Sequence, residues 1–204
     1  MRALITTTIF FLLSLELIAQ NRSDNIPTKY ILEVIPDSSM VIDGKTNINS
    51  FNCVYKETIQ SELKLTQNIF KESSPVQHTG LDFAVACFDC GISLMTKEFS
   101  DLLYEEQYPK ISMKLLSMFI SQDNKSKVIN GKGKASMTIA GTERIEKITY
   151  VVTHKEGKNF QIKGSKVINI LDYNITPPKK MMGMVRVDQS IVVNFNFNFI
   201  VDDH

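Results

Sequence analysis

A strictly alternating segment near the end of the chain, "IVVNFNFNFIV" at 191–201, constrains the fold more than any other part of the sequence. Successive side chains of an extended chain point to opposite faces, so the apolar and polar residues of this segment separate completely. One face carries Ile191, Val193, Phe195, Phe197, Phe199 and Val201, and the other carries Asn194, Asn196 and Asn198. The segment predicts a β-strand whose apolar face either fills a core or lines a space for an apolar guest, and whose asparagine face is wet.

Most of the remaining chain repeats this strand pattern in short pieces. Segments such as "TKYILEVI", "KISMKLLSMFIS", "KITYVVTH" and "NFQIKGSKVINI" alternate and are rich in β-branched or aromatic residues. Glycine dipeptides between such pieces predict the turns of antiparallel hairpins. These dipeptides are Asp43-Gly44, Asn130-Gly131, Ala140-Gly141 and Glu156-Gly157.

One segment, at about 92–107, departs from this pattern. Its apolar residues Leu94, Met95, Phe99, Leu102 and Leu103 recur at helical spacing, and polar or acidic residues stand between them. A proline at 109 then ends the segment. The sequence therefore predicts one amphipathic helix in an otherwise all-β chain, where it would plug one end of the fold.

About eight strands with one apolar face each must hide those faces in two packed sheets or in a closed barrel. Periodicity does not choose between the two, and a barrel of eight strands either fills with side chains or holds one small ligand. The 204-residue chain suits a single domain. Its 23 Lys and Arg against 22 Asp and Glu give a net charge of +1, which creates no global field toward nucleic acid or an anionic membrane. We expect no nucleic-acid partner.

The N-terminus has the composition of a secretion signal. Residues 1–19 combine a positive start at Arg2, the apolar run "ALITTTIFFLLSL" and Ala19 as a cleavage residue. An uncleaved anchor is the competing interpretation, but the run is short and Glu16 would be costly in lipid. We expect a signal peptide at 1–19, a flexible segment at 20–27 and one domain at 28–204, exported to the periplasm or medium without stable membrane insertion.

The three cysteines are compatible with an oxidising compartment, which permits a disulfide. Cys87 and Cys90 form "CFDC", but the surrounding "LDFAVACFDCG" is typical of a strand that enters a glycine turn, not of a helix N-terminus that activates a thiol. Zinc would need two further ligands, and the three histidines show no suitable spacing. The residues therefore favour one structural disulfide and one buried free thiol.

The sequence contains none of the common catalytic motifs. It has no G-x-S-x-G, P-loop or dinucleotide fingerprint, and nothing places His78 or His154 beside a nucleophile and an orienting group. "GKGKA" at 131–135 indicates a lysine-bearing hairpin turn rather than a phosphate-binding loop. We expect no enzyme activity, no catalytic residue, no metal and no cofactor.

Several segments together resemble the YceI-like family. They are "IPDSSMVIDGKTNINSFNC", "CFDCGISLMTKEFSDLLYEEQYPKISMKLLS", "MTIAGTER", "LDYNITPP" and "MMGMVRVDQSIVVNFNFNF", in the order in which the family has them. The likeness extends from about Ile31 to Phe199. It implies an exported, closed, lipocalin-like antiparallel barrel with one helical segment, in which family members hold long isoprenoid chains.

The resemblance also implies the residues of a ligand-lined barrel interior. These are Phe51, Phe83, Met95, Phe99, Ile111, Met113, Leu115, Met137, Met182, Phe195 and Phe197. The cysteines at "FNC" and "FDCG" look like those of a subgroup of exported members, in which Cys53 and Cys90 would be bridged and Cys87 free. The expected partner is a long apolar ligand of isoprenoid or quinone type, and a homodimer is one option for assembly.

Two functions remain open at this point. The first is a carrier or sink for a long apolar molecule, and the second is a stress-associated structural or interaction protein whose barrel is filled by its own side chains. Residual cavity volume distinguishes them. In the first case, "PPKKMMGMVR" would set Lys179, Lys180 and Arg186 beside methionines at the barrel mouth, where they could hold an anionic head group. A plain solvated loop is the alternative.

Overall fold

The computed structural model describes residues 30–59, 61–65, 74–75, 80–121, 128–180 and 184–203. The predicted signal peptide at 1–19, the segment at 20–27 and Met182 lie outside these residues. The elements are β1 (Tyr30–Val34), β2 (Ser39–Lys45), β3 (Ser50–Tyr55), β4 (Ser61–Leu65), β5 (Ser74–Pro75), β6 (Gly80–Ala84), β7 (Phe88–Asp89), α1 (Ser93–Leu102), β8 (Lys110–Ile120), β9 (Val128–Ile139), β10 (Thr142–His154), β11 (Asn159–Asn169), β12 (Lys179–Lys180), β13 (Val185–Arg186) and β14 (Ser190–Asp203).

The large sheet curls on itself. Its strand order is β5-β8-β9-β10-β11-β14-β2-β3-β7, with antiparallel neighbours. β6 pairs with β8, and β7 pairs with β3. Because only the 3-10 turn Val85–Cys87 separates β6 from β7, this segment joins the two ends of the sheet into a nearly closed barrel of nine strands. The predicted all-β, lipocalin-like barrel with one helix is confirmed.

β14 pairs with three strands and is held on both of its edges. It pairs with β11 from Asn159↔Ile200 to Asn169↔Ser190 on one side. On the other side its first half pairs with β2 and its second half with β1. Because this register is fixed on both sides, Val193, Phe197 and Phe199 are held in the barrel interior, where each is at most 5% exposed.

Two of the four predicted turns are wrong. Gly44 lies inside β2 and Gly131 lies inside β9, whereas the turns at Ala140-Gly141 and Glu156-Gly157 are confirmed. Both misplaced glycines face an aromatic residue on the neighbouring strand, Phe51 opposite Gly44 and Tyr150 opposite Gly131. Each ring lies across its glycine, so a Cβ atom there would collide with it. These glycines make room for rings instead of bending the chain.

The predicted helix at about 92–107 is confirmed in place but is shorter. α1 ends at Leu102, and Tyr104 then adopts a left-handed conformation with φ 54°. A right-handed helix cannot continue through a residue in that conformation. Met95, Phe99 and Leu102 pack against the core. Leu94, which the helical spacing grouped with them, is 65% exposed.

The disulfide expected from the resemblance is present. Cys53 on β3 and Cys90 after β7 are joined across 37 residues, because the β3–β7 ladder pairs Val54 with Asp89 and so brings the two cysteines together. Both are buried. Cys87 is the free thiol, and it is half-buried rather than fully buried.

The double variant Cys53→Ala, Cys90→Ala should lower the free energy of unfolding by about 3 to 4 kcal/mol, because the bridge restricts a long loop in the unfolded chain. Urea unfolding measures the difference. Cys87→Ala is the control and should shift the midpoint little. A Cys87→Ala shift as large as that of the double variant would contradict the pairing.

Gly44→Ala should destabilise the protein by about 1 to 3 kcal/mol, because the new methyl group collides with the Phe51 ring. Gly80→Ala is the matched control, since Gly80 also lies in a strand but its nearest neighbour would be the Met113 carbonyl oxygen at 3.8 Å. The control should be neutral or slightly stabilising. Thermal unfolding separates the two, and equal effects would show that the ring contact does not matter.

Candidate functional site

Three adjoining apolar cavities occupy the barrel interior. We name them by position: the mouth cavity, of about 220 Å³, lies beneath α1. The central cavity, of about 40 Å³, lies between β2, β8 and β9. The deep cavity, of about 60 Å³, lies against the phenylalanines of β14. Together they follow the inside of the barrel from the helix to the Phe-rich strand.

The mouth cavity is walled by the helix and by the turn between β2 and β3. Met95 and Phe99 face it from α1, where their spacing of four residues puts them on one face of the helix. Phe51 faces it from β3. Polar groups occur here at Thr46, Asn49 and Glu98, so this cavity has a mixed lining with an apolar base.

The central cavity is lined by apolar side chains and one tyrosine. Most of these residues point inward from strands, and others belong to the segment directly after β11. They are Met40, Ile42, Phe83, Phe99, Leu103, Ile111, Met113, Met137, Ile139, Ile168, Ile170, Tyr173, Ile175, Ile191 and Val193. Nothing in this lining holds a formal charge, so it favours hydrocarbon.

The deep cavity is lined by the phenylalanines of β14. The rings of Phe195 and Phe197 stack with centroids 5.6 Å apart, and those of Phe197 and Phe199 meet edge to face at 6.4 Å. Leu115, Met118 and Tyr150 contribute from the opposite strands. The closing strand thus packs part of the core and also leaves a wall of aromatic rings beside a residual space.

Shared residues connect the three cavities in series. Phe99 and Leu103 line both the mouth and the central cavity. Met113 lines both the central and the deep cavity. Because the methionine side chain is unbranched and has several rotatable bonds, its rotation can merge neighbouring spaces at low cost.

A polar cluster stands where β10 and β11 separate. Their ladder runs only from Tyr150↔Gly164 to His154↔Phe160. Beyond it, Glu146 forms an ion pair with Lys166 at 2.6 Å and accepts a hydrogen bond from the buried Tyr173 hydroxyl at 3.3 Å. Burial, together with the Glu146 charge, raises the pKa of Tyr173 far above its ordinary value. The hydroxyl therefore remains a donor, and the cluster joins the two strands beside the central cavity.

The asparagine face of β14 is less wet than the alternation predicted. All three asparagines are half-buried. Asn194 donates to Asp43 Oδ2 at 2.6 Å, and Asn198 donates to the Asp37 carbonyl at 3.0 Å. The Oδ1 atom of Asn196 is buried and has no hydrogen-bond partner. Residues of other segments contact this face, and the alternation within β14 alone cannot predict such contacts.

Ten of the eleven candidate lining residues lie in the described part of the chain, and each faces at least one cavity. Phe51, Met95 and Phe99 line the mouth; Phe83, Phe99, Ile111, Met113 and Met137 line the centre; Met113, Leu115, Phe195 and Phe197 line the deep cavity. Met182 lies outside the described residues. Sequence reasoning missed Met40, Ile42, Ile139, Ile168, Tyr173 and Ile175, of which Met40 and Ile42 were recognisable from strand alternation.

The cations proposed for the mouth are only partly described. Lys179 and Lys180 form β12, which pairs with β13, but their side chains lie outside the described part of the chain. Arg186 is exposed on β13, and Met184 is 67% exposed. The head-group role of these residues stays a prediction.

Side chains that could act in catalysis or bind a metal lie apart from one another in the described part of the chain. His154 bonds the Gly157 carbonyl at 2.8 Å in a hairpin turn, while His78 and His204 lie outside the described residues. Among the residues that the structure describes, no three His, Cys, Asp or Glu side chains come together as a metal site. Within the same residues, no helix has the length and apolar content needed to cross a membrane.

No protein-family model and no curated protein sequence matches the chain significantly. Solved structures do match it in fold. Burkholderia cenocepacia BcnA is 17% identical with a TM-score of 0.58, over 79% of this chain and 95% of that one. A polyisoprenoid-binding domain from Saccharophagus degradans, implicated in plant cell wall breakdown, is 9% identical with a TM-score of 0.60, over 84% and 98% of the two chains.

A third match is the Campylobacter jejuni YceI protein, which is 13% identical with a TM-score of 0.51, over 78% of this chain and 84% of that one. At such identities a likeness establishes the fold. The chain therefore has the YceI-like fold, as the resemblance in its sequence predicted.

Proposed function

We propose that this protein binds a long apolar ligand, of isoprenoid or quinone type, inside the barrel and without catalysis. The observation that carries the proposal is the series of three adjoining cavities from α1 to β14. Apolar walls make up almost all of the central and deep cavities, and the polar groups gather at the mouth. An extended hydrocarbon chain matches that distribution, because it has nothing to hydrogen-bond along its length.

The likeness to a solved polyisoprenoid-binding domain supports the ligand class. That domain shares the fold of this chain over nearly its whole length. Apolar side chains at ten candidate positions of this chain face the barrel interior.

Binding requires the interior to adapt. No single one of the three cavities reaches about 300 Å³, the lower end of ordinary ligand pockets. Five methionines line them: Met40, Met95, Met113, Met118 and Met137. Since methionine side chains change rotamer readily, a tail entering from the mouth can push them aside and join the spaces.

A barrel filled by its own side chains, with a structural or interaction role, is the second candidate. The small central and deep cavities favour it, because residual spaces of about 40 and 60 Å³ are little more than packing defects. The two candidates differ in whether a lipid accompanies the protein through purification.

Export to the periplasm or medium is part of the proposal. It rests on the signal-like composition of residues 1–19 and on the Cys53–Cys90 bridge, which is stable in an oxidising compartment. An isoprenoid pyrophosphate with its head near Arg186 and a neutral quinone are both compatible with the cavity walls.

Mass spectrometry of organic extracts should detect a long-chain lipid in the purified protein and none in Phe197→Asp. A carboxylate at this buried position faces hydrocarbon and must be desolvated or protonated, so the tail cannot occupy the deep cavity. Val167→Asp, at an exposed position of β11, is the control and should retain the lipid. A substitution at the neighbouring Asn196 would not serve as the control, because the amide oxygen of that residue is buried. Extracts of the wild-type protein without lipid, together with failed uptake of added isoprenoid, would favour the filled barrel.

Met113→Ala should shift selectivity toward longer tails by several-fold, because it removes the side chain that divides the central from the deep cavity and each additional buried CH₂ contributes about 0.8 kcal/mol. It should also lower stability by about 1 to 3 kcal/mol, because Met113 is half-buried. Competition between two quinones of different tail length measures the shift. Met118→Ala is the control, since Met118 lines only the deep cavity of the two. An equal shift in both variants would reject Met113 as the partition.

A further inference from the structure

The outer face of three adjacent strands forms a small array of lysines. The registers of β8, β9 and β10 set nine outward side chains in three rows across the strands. The rows are Lys114, Ser136 and Ile145; Ser117, Lys134 and Lys147; and Phe119, Lys132 and Thr149. We call these nine residues the lysine face. It carries four lysines and no carboxylate.

Two of these lysines stand directly opposite each other. Lys134 on β9 pairs in register with Lys147 on β10, and both are exposed. Side chains at such positions have Cβ atoms about 5 Å apart, and like charges there repel. An arrangement that costs stability in the isolated protein becomes favourable when an anionic surface neutralises it.

Two carboxylates near the face accept hydrogen bonds from serines. Glu143, two residues before Ile145 on β10, accepts a hydrogen bond from Ser136. Asp82, on the strand beyond β8, accepts from Ser112 at 2.7 Å and forms an ion pair with Lys110 at 3.3 Å. Glu143 touches the face through Ser136 and Asp82 lies beyond it, and neither carboxylate stands in register opposite Lys114, Lys134 or Lys147.

The net charge of +1 conceals a separation of charge. Acidic residues gather on and after α1, at Glu98, Asp101, Glu105 and Glu106, with Lys97 paired to Asp101. The lysine face lies on a different part of the barrel. The fold therefore creates a local positive field that the balanced composition did not predict.

The lysine face also exposes apolar groups. Ile145 is 67% exposed between its neighbours, and Lys132 Nζ lies 5.2 Å from the centroid of the half-buried Phe119 ring. A shallow groove of about 320 Å³ runs between the lysines. The nine positions span about 10 by 13 Å, from the spacings of strands and of alternate residues. Positive groups spread over such an area suit a charged surface better than one small anion, which needs converging donors.

We propose that the lysine face docks this protein on a bilayer that contains anionic phospholipids. The ammonium groups of Lys114, Lys134 and Lys147 meet the lipid phosphates, and Ile145 enters the headgroup layer. This contact is peripheral and reversible, because each basic residue near such a surface changes binding by only about five-fold. It is independent of what the barrel interior holds.

Sedimentation of the full chain with vesicles of 30% phosphatidylglycerol in phosphatidylcholine tests the proposal. We expect binding to these vesicles and at least ten-fold weaker binding to pure phosphatidylcholine. Lys134→Glu with Lys147→Glu should reduce binding to the anionic vesicles at least ten-fold. Raising the salt from about 0.05 to 0.5 M should weaken it in the same direction, since a shorter Debye length screens the charges.

The matched control is Lys45→Glu with Lys155→Glu, which changes net charge equally at exposed positions outside the face. It should bind the anionic vesicles within about three-fold of the wild-type protein. Equal losses in both double variants would reduce the effect to net charge and overturn the proposal. So would equal binding to neutral vesicles. Lysine-dependent binding to a single-stranded oligonucleotide without vesicle binding would assign the face to nucleic acid instead.

Discussion

The pairing of β14 on both of its edges is the constraint on which the rest of the structure depends. Its ladder to β11 covers eleven residue pairs, and its other edge holds β2 and β1 in succession. A slip of one residue would turn the phenylalanines outward and the asparagines inward. Because three strands fix the same register, the aromatic wall of the interior and the closure of the barrel follow from one set of backbone hydrogen bonds.

The barrel interior is intermediate in packing between a filled core and an open tunnel. Phenylalanine rings on β14 contact one another and give the wall a fixed shape. Methionines such as Met113 and Met137 lie opposite and supply side chains that can move. Rigid aromatic rings on one side and flexible thioethers on the other leave residual spaces between them, so the interior is packed imperfectly.

The errors of sequence reasoning arise where a residue's role depends on a partner far along the chain. Gly44 and Gly131 have the local signature of a turn, yet each lies in a strand because an aromatic ring on the next strand occupies the space above it. Asn196 alternates as a solvent-facing residue should, yet its amide oxygen is buried by neighbouring strands. Local patterns cannot distinguish these cases, since the deciding atoms belong to another segment.

The sequence by itself determined the strands, the faces of β14 and the position of α1, because these depend on the alternation of neighbouring residues and on local steric preferences. The lipocalin-like barrel was indicated by the resemblance to the YceI-like family, since alternation alone did not choose between a barrel and two packed sheets. The resemblance also indicated the Cys53–Cys90 pair and ten cavity-lining residues. Tertiary structure alone decided the division of the interior by Met113 and the assembly of Lys114, Lys132, Lys134 and Lys147 into one face. Both arise from strands that meet only when the sheet closes, and volume and surface charge are properties of that closed arrangement.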